Sequence, residues 1–205
     1  MRNLLKFDLH IDREAATITI VSTLLLMVDY YHNISGVTVI DRVALYLVIP
    51  LGIILFAERK HPRDYGFTFG DWKAGLALTG IVIAIAAPIL WLVSRIDPSM
   101  QAYYGDQLNL GLPILSFLDL IGWEFLFRGW ILFGYARVFG DNALWLQAVP
   151  FALAHLGKPE VETLSTIFGG FLFGLVALRT RSFIYPFLIH WFILTFTVLV
   201  AAGAI

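Results

Sequence analysis

Four polar side chains that could do chemistry lie inside apolar stretches of this sequence. Glu124 and Arg128 interrupt the segment GWEFLFRG, His155 lies in PFALAHLGKP, and His190 lies in YPFLIHWF. A charged side chain inside such a stretch costs about 3 kcal/mol on membrane-insertion scales, so each one needs a structural or functional reason. On a helix, Glu124 and Arg128 are four residues apart and share one face, where they can pair.

A carboxylate and two imidazoles can activate a water molecule directly, or can bind a Zn²⁺ ion that activates it. At about 1.5 Å per helical residue, Glu124, His155 and His190 lie roughly 20, 18 and 10 Å from the predicted inner boundary, so tilted or kinked helices would let them meet. The residues alone leave a second interpretation open. A lone intramembrane histidine often only joins helices by a hydrogen bond, and a Glu–Arg pair can be a structural clasp.

The composition places these residues in a membrane protein. The chain has 205 residues, of which 59% are apolar and 14% charged, and its mean hydropathy is +0.80. Soluble domains are about 25% charged. We therefore predict an all-α polytopic integral membrane bundle that forms a single domain over residues 1–205. The net charge of −1 favours no nucleic-acid partner, and the absence of cysteine excludes disulfides, thiolate metal sites and lipidated cysteines.

The apolar stretches predict about seven membrane-spanning helices after a polar arm over Met1–Glu14. No small-residue cleavage site follows the first stretch, so we interpret it as an uncleaved span. The segment with Pro150 is short and predicts either a short span or a half-helix. The predicted spans are Ala15–Val28, extendable to Tyr31, then Val37–Ala57, Trp72–Val93, Leu112–Arg137, Asn142–Leu156, Val161–Leu178 and Phe183–Ala204.

The distribution of lysine and arginine predicts the orientation of the bundle. With the amino terminus in the cytoplasm, the inside segments carry ten of these residues and the outside segments only Arg95 and Lys158. Such a bias is typical of membrane proteins, so we expect a cytoplasmic amino terminus. The inside residues are Arg2, Lys6, Arg13, Arg59, Lys60, Arg63, Lys73, Arg137, Arg179 and Arg181.

The four polar residues fall into three motifs. Glu124 and Arg128 match the second Glu and the Arg of a Glu-Glu-x-x-x-Arg pattern. Phe151 and His155 match Phe-x-x-x-His, and His190 matches the His of a third pattern in which Asn follows four residues later. The order and spacing of all three together are far more specific than any one of them alone.

These motifs, over about residues 112–200, resemble those of the CPBP intramembrane proteases, which include CAAX prenyl proteases of the Rce1 type and bacterial Abi proteins. The resemblance implies a helical membrane fold and an endopeptidase that cleaves membrane-associated or prenylated peptides. Under this hypothesis Glu124 is the general base, His155 and His190 position the attacking water or a metal, and Arg128 orients Glu124. If a metal is bound, we expect Zn²⁺ on His155, His190 and Glu124; otherwise we expect no cofactor.

Two motif positions differ from the family pattern. Trp123 replaces the first Glu, the family's usual candidate for activating water, and Leu194 replaces the Asn. Neither side chain can take a proton or bind a metal. Glu124 would then have to serve as the base, although neighbouring positions on a helix point about 100° apart. The departures keep open a non-catalytic family member that binds a membrane protein or lipidated peptide in the same cavity.

Three further acidic residues lie near the motifs. Asp119 is about 140° from Glu124 around a helix, and we expect it to have a structural or interfacial role. Glu160 and Glu162 suit the first turn of a helix, where acidic side chains are favourable. The alternative is that one of them folds back over the site.

The remaining expectations concern packing and partners. Gly170 and Gly174 are four residues apart in GGFLFG, which predicts close helix packing. A small transporter is a weaker alternative, because no internal repeat is visible. We expect the partners to be the lipid bilayer and a membrane-anchored or lipidated peptide or protein, in a bacterial or archaeal plasma membrane.

The cysteine-free chain allows a direct test of the orientation. We expect a single cysteine in His61→Cys to be protected from a membrane-impermeant maleimide in sealed cells and labelled after permeabilisation, because basic residues surround it. Labelling of this cysteine in intact cells would contradict the predicted orientation.

Overall fold

All the regular structure is helical in the computed structural model, which describes residues 10–205 and has no strand within them. Five of these helices are long and apolar enough to cross a membrane, which confirms the predicted all-α membrane bundle. The helices are α1 (Arg13–Tyr31), α2 (Thr38–Ala57), α3 (Trp72–Ile96), α4 (Pro98–Tyr104), α5 (Leu112–Glu124, continuing through a π-helix over Phe125–Ile131 to Leu132–Phe139), α6 (Ala143–Leu153), α7 (Glu160–Thr180) and α8 (Ile184–Ala201).

The number of spans is lower than the seven expected. Within residues 10–205 there are five, or six if Pro98–Gln107 and Leu112–Leu153, bent by 106°, form one broken span. The predicted span Asn142–Leu156 is one of those that differ from the structure, because the helix found there, α6, has only 11 residues. At 1.5 Å per residue α6 covers about 16 Å, half of a typical hydrocarbon core. The half-helix interpretation of this segment is therefore the one that holds.

The start of α1 is fixed by its cap. Asp12 accepts a hydrogen bond from the backbone N–H of Ala15 at 2.8 Å, which satisfies one of the free donors of the first turn. Most of the predicted polar arm, including Arg2 and Lys6, lies outside the described residues.

One end of the bundle, termed the basic end, gathers helix ends that carry most of the basic residues. Glu14, in the first turn of α1, pairs with Lys60 after α2 and with Arg137 near the end of α5. Asp71, which caps α3, pairs with Arg179 of α7 at 2.9 Å. These contacts bring together segments that the sequence predicts to be cytoplasmic. Which side of the membrane the basic end faces stays a prediction.

Tyr65 is the buried centre of the basic end. Its hydroxyl donates to Glu14 Oε1 at 2.7 Å and also contacts Glu58, and the Arg137 guanidinium lies 4.2 Å from the centre of its ring. Burial and the two carboxylates raise the pKa of Tyr65 above its usual range. A neutral phenol thus ties α1, α2 and α5 together at this end.

The opposite end of the bundle, termed the distal end, carries both basic residues predicted to lie outside. Arg95 Nη2 donates to the carbonyl of Ile205 at 2.7 Å, which joins the end of α3 to the end of the chain. Lys158 Nζ donates to Glu162 at 2.9 Å, and Tyr104 of α4 donates to the same carboxylate at 2.6 Å. The two ends therefore differ in their numbers of lysine and arginine residues, as the sequence predicts.

Small residues set the approach of α6 to α7. A Cβ atom on Gly170 would lie 3.0 Å from the Cβ of Ala148 and 3.2 Å from its Cα, which is closer than ordinary van der Waals contact. The close approach lets Gln147 donate to the carbonyl of Gly170 at 2.8 Å. The predicted close packing at Gly170 is confirmed, and it fixes the half-helix that leads to His155.

A pair of neighbouring glycines provides a matched test of this packing. Gly170→Leu should lower the free energy of unfolding by about 1–3 kcal/mol or more, because the backbone of α6 cannot move away without losing its contacts. Gly169→Leu should be neutral or slightly stabilising, because no atom lies within 4 Å of a Cβ at that position. Thermal unfolding in detergent measures both. Equal destabilisation by the two changes would contradict the close approach.

Candidate active site

The Glu124–Arg128 pair lies where α5 changes from α-helix to π-helix. Glu124 ends the segment Leu112–Glu124, and Arg128 belongs to the π-helix Phe125–Ile131. Both side chains are 0% exposed, and Arg128 Nη1 donates to Glu124 Oε1 at 3.1 Å. The predicted pairing is confirmed. A π-helical turn frequently marks a functional site, because it widens the helix locally.

Aromatic rings enclose the rest of the guanidinium. Its central carbon lies 3.7 Å from the ring centre of Phe151 and 5.1 Å from that of Phe173. Arg128 Nε and Nη2 have no hydrogen-bond partner among the described residues. One carboxylate and the faces of the rings therefore stabilise this buried cation. The contact also gives a physical reason for the phenylalanine of the Phe-x-x-x-His motif, since Phe151 stacks on Arg128.

His190 on α8 contacts the same carboxylate oxygen. Its Nδ1 lies 2.6 Å from Glu124 Oε1. A carboxylate paired with Arg128 only accepts hydrogen bonds, so Nδ1 of His190 must carry the proton. The lone pair is then on Nε2. Glu124 fixes both the tautomer and the orientation of the ring, as second partners of functional histidines do.

His155 follows α6 and has the same tautomer for a different reason. Its Nδ1 lies 2.8 Å from the carbonyl oxygen of Phe151, which can only accept, so the proton is again on Nδ1. The rings of His155 and His190 have centres 6.4 Å apart and planes inclined by 28°. The structure thus brings together the four residues that the sequence singles out, on α5, α8 and the end of α6.

Both histidines line a cavity of about 270 Å³ between α3, α4, α7 and α8. Glu124 does not line it: the carboxylate is fully buried and lies behind His190. The histidines are therefore the groups of the site that a molecule in the cavity would meet. The lining residues are Ile89, Leu90, Val93, Met100, Tyr104, Phe151, His155, Lys158, Val161, Glu162, Ser165, Thr166, Gly169, Phe173, His190, Ile193, Leu194 and Thr197.

The donor set does not fit a three-ligand zinc ion. Within residues 10–205, no group of three His, Asp or Glu side chains is arranged to hold a metal. A zinc site needs donors about 2.0–2.2 Å from one point. Here Glu124 Oε1 already accepts from Arg128 and His190, and the ring centres of the two histidines lie 6.4 Å apart.

The two positions that depart from the family pattern have different surroundings. Leu194 lines the histidine cavity and adds only apolar surface there. Trp123 instead lines a second cavity of about 660 Å³ on another side of α5. Its ring packs 5.0 Å from that of Tyr46, and the Arg42 guanidinium lies 5.4 Å from its centre. The neighbours Trp123 and Glu124 therefore serve different cavities.

Asp119 has the structural role expected for it. Arg42 Nη1 donates to both of its carboxylate oxygens, at 3.0 and 3.1 Å, and Arg42 Nε donates to Asp29 at 3.3 Å. This ion cluster joins α1, α2 and α5.

Glu160 and Glu162 follow His155, and the sequence allows each either to stabilise a helix start or to fold back over the site. Glu160 is exposed at the start of α7, as the helix-start interpretation expects. Glu162 lines the histidine cavity and accepts from Tyr104 and Lys158. The spacing of Lys158 and Glu162 indicates their pairing, but sequence reasoning missed Tyr104, because nothing local links α4 to α7.

Comparison with known proteins gives one match. The family model described as Rce1-like, type II CAAX prenyl endopeptidase, matches residues 106–196, a range that contains all the motif residues described above. Neither the curated proteins nor the solved structures contain a match to the chain.

Arg128 offers a sharp test of the buried pair. Arg128→Ala should lower the free energy of unfolding by about 3–5 kcal/mol, because it leaves the Glu124 carboxylate buried without its cation. Removing both charges with Glu124→Gln and Arg128→Met should cost less than Arg128→Ala alone. Thermal unfolding in detergent compares the variants.

The chain supplies a control pair. Asp71 and Arg179 have the same charges, but their side chains are 46% and 59% exposed. Arg179→Ala should hardly change the thermal midpoint, since exposed ion pairs contribute little. A double variant no more stable than Arg128→Ala would show that Glu124 and Arg128 do not act as a pair.

Proposed function

From the premise that this chain belongs, over residues 106–196, to the Rce1-like family of type II CAAX prenyl endopeptidases, we propose that it is an intramembrane endopeptidase. Its substrates are membrane-anchored or lipidated polypeptides. The observation that carries the proposal is the contact of 2.6 Å between His190 and Glu124, next to His155 in one cavity of a bundle with membrane-spanning helices.

The tautomers suggest how water is activated. His155 and His190 each have a lone pair on Nε2, so a water molecule in the cavity can donate to both. As the water oxygen bonds to the carbonyl carbon of the substrate, His190 takes its proton. The imidazolium then gives this proton to the amide nitrogen as the C–N bond breaks.

In this proposal Glu124 acts behind His190 rather than on water directly. Its carboxylate stabilises the imidazolium and holds the ring in one tautomer, which is the role of the buried acid in a catalytic triad. The sequence favours Glu124 as the base, but its complete burial and its absence from the cavity wall favour the imidazole. Arg128 is a positioning residue, because it donates to the Glu124 carboxylate and does not itself line the cavity.

Metal assistance is not part of the proposed steps. The donor set does not fit a three-ligand ion, so the chain's own imidazoles carry the proton transfer. Cleavage that survives treatment with a chelator would agree with this proposal. Cleavage that is lost on chelation and restored by Zn²⁺ would move the activation of water to a metal.

A non-catalytic binding protein is the second candidate. Two observations favour it: Leu194 places an isobutyl group in the cavity where the family has an amide, and Trp123 faces the other cavity. In this case the cavity would hold a membrane-anchored or lipidated peptide without cutting it. Binding of such a peptide that weakens in His155→Ala, with no cleavage under any condition, would favour this candidate.

The endopeptidase proposal predicts strongly non-additive effects. Glu124→Gln, His155→Ala and His190→Ala should each lower kcat by on the order of 10³-fold or more, because the groups act as one unit. Combining Glu124→Gln with His190→Ala should add little to the loss. The assay is the cleavage of a panel of prenylated and membrane-anchored peptides by protein reconstituted in lipid.

Two variants serve as controls. Glu160→Gln removes an exposed acid outside the cavity, and Asp119→Asn alters the separate ion cluster while it keeps one oxygen acceptor. Both should keep most of the activity. Full activity of Glu124→Gln, combined with loss in Glu162→Gln, would contradict the proposed roles and assign the base to Glu162.

A further inference from the structure

The second cavity, of about 660 Å³, lies between α1, α2, α5 and α6 and shares no lining residue with the histidine cavity. α1 lines it between residues 23 and 31, where this helix reaches the distal end of the bundle. α2 contributes Arg42 and Tyr46, which lie about 6 and 12 Å along the helix from its start at Thr38. The cavity therefore spans the level at which lipid headgroups meet the hydrocarbon of the bilayer.

The ion cluster at the wall of the second cavity has one carboxylate more than it has cations. Arg42 donates through Nε to Asp29 at 3.3 Å and through Nη1 to both oxygens of Asp119. Two carboxylates thus share one guanidinium. Asp29 is the acid of the cluster that lines the cavity, and its side chain is only 12% exposed. A charge buried to this extent requires compensation, either by a proton on one acid or by a bound cation.

Tyr46 adds a second polar group that lacks a partner. The residue is 0% exposed and lines the second cavity. Its hydroxyl has no hydrogen-bond partner among residues 10–205, although Asp29 is close enough to interact with it electrostatically. Leaving a buried hydroxyl unpaired costs free energy. A ligand with N–H donors would satisfy the phenol oxygen and the Asp29 carboxylate together.

Aromatic rings form much of the remaining wall. The ring centres of Tyr46 and Trp123 are 5.0 Å apart, and those of Tyr30 and Tyr31 are also 5.0 Å apart. All four residues line the cavity. The faces of such rings attract organic ammonium groups. Because no group of three His, Asp or Glu side chains in the described part of the chain is arranged to hold a metal, these walls favour an organic cation over a metal ion.

The apolar wall of the second cavity continues onto the lipid-facing surface of the bundle. Met27 of α1 and Leu153 of α6 line the cavity and are 50% and 60% exposed. In a bundle that spans a membrane, these exposed side chains contact lipid. A ligand with an ammonium group at the ion cluster can therefore extend an apolar tail directly into the bilayer.

We propose that the second cavity binds the ammonium headgroup of a membrane lipid. Asp29 and the hydroxyl oxygen of Tyr46 accept hydrogen bonds from the ammonium group, and Trp123 presents an aromatic ring to it. The positive charge offsets the excess carboxylate of the ion cluster, and the acyl chains of the lipid lie along Met27 and Leu153. This binding site does not depend on whether the chain cleaves a peptide.

The site borders the segments that carry the candidate active site. Trp123 directly precedes Glu124, and Ala154, which also lines the second cavity, directly precedes His155. A lipid in the second cavity therefore contacts the end of α6 and the middle of α5. Its binding would hold α1 and α2 against these two segments.

Lipid titration of the delipidated full chain tests the proposal. Native mass spectrometry compares phosphatidylethanolamine with phosphatidylglycerol of the same acyl chains, because only the first carries an ammonium group. We expect one phosphatidylethanolamine molecule to bind about tenfold more tightly than phosphatidylglycerol, since its cation meets both a carboxylate and aromatic rings. Asp29→Asn and Tyr46→Phe should each remove most of this preference.

The thermal midpoint of the lipid-free protein separates a binding role of these residues from a structural one. Asp29→Asn removes the excess charge and leaves Arg42 paired with Asp119, and Tyr46→Phe removes an unpaired buried hydroxyl. Both variants should therefore keep or raise the midpoint without lipid, while they lose the rise that phosphatidylethanolamine gives the parent protein. Asp71→Asn, at an exposed acid of the basic end, is the control and should respond to the lipid as the parent does.

A soluble amine identifies the source of the ammonium group. Ethylammonium chloride is compared with sodium chloride at equal concentration in the thermal assay. A rise with ethylammonium that is lost in Asp29→Asn, without any preference between the two lipids, would overturn the lipid as the source and assign the site to a free amine. Binding of phosphatidylglycerol as tight as that of phosphatidylethanolamine, with no response to ethylammonium, would overturn the ammonium site. Unchanged lipid preference in both Asp29→Asn and Tyr46→Phe would overturn the assignment to this cavity.

Discussion

The structure depends on a guanidinium that is completely enclosed by protein. Arg128 has one carboxylate, Glu124, and the faces of Phe151 and Phe173 as its stabilising partners. Burying a cation with so few partners is tolerable only if they are held accurately. That requirement explains why α5, α6 and α7 pack closely at this level and why glycine lies at the α6–α7 contact. The same accuracy positions His190, because it shares the oxygen of Glu124 that Arg128 binds.

The sequence predicts the parts of this arrangement that depend on spacing or burial. The four-residue spacing of Glu124 and Arg128 predicts the pair, and the scarcity of charge predicts the membrane bundle. Glu124, His155 and His190 stand out because a polar group in an apolar span needs a partner. The close packing at Gly170 follows from its spacing with Gly174. In each case one local rule is strong enough that tertiary structure does not override it.

The rest depends on tertiary contacts that no local pattern encodes. The π-helix at Phe125–Ile131 uses residues that would suit an α-helix equally well, so its register change is invisible in the sequence. Tyr104 reaches Glu162 across 58 positions of the chain. The expected count of seven spans fails because hydropathy cannot distinguish a half-helix, such as the 11-residue α6, from a short span.

The surroundings of Trp123 suit an indole better than an acidic side chain. Asp29 and Arg42 line the second cavity with Trp123, and Asp29 shares the guanidinium of Arg42 with Asp119. A glutamate at position 123 would add a third carboxylate beside one cation. Repulsion from the other two carboxylates would raise the free energy needed to ionise it in a low-dielectric setting. An indole instead offers an aromatic ring to Arg42 without adding charge. On this side of α5 the acidic side chains Asp29 and Asp119 thus belong to an ion cluster that joins helices. In the proposed endopeptidase, Glu124 and the imidazole of His190 in front of it therefore form the acid–imidazole pair.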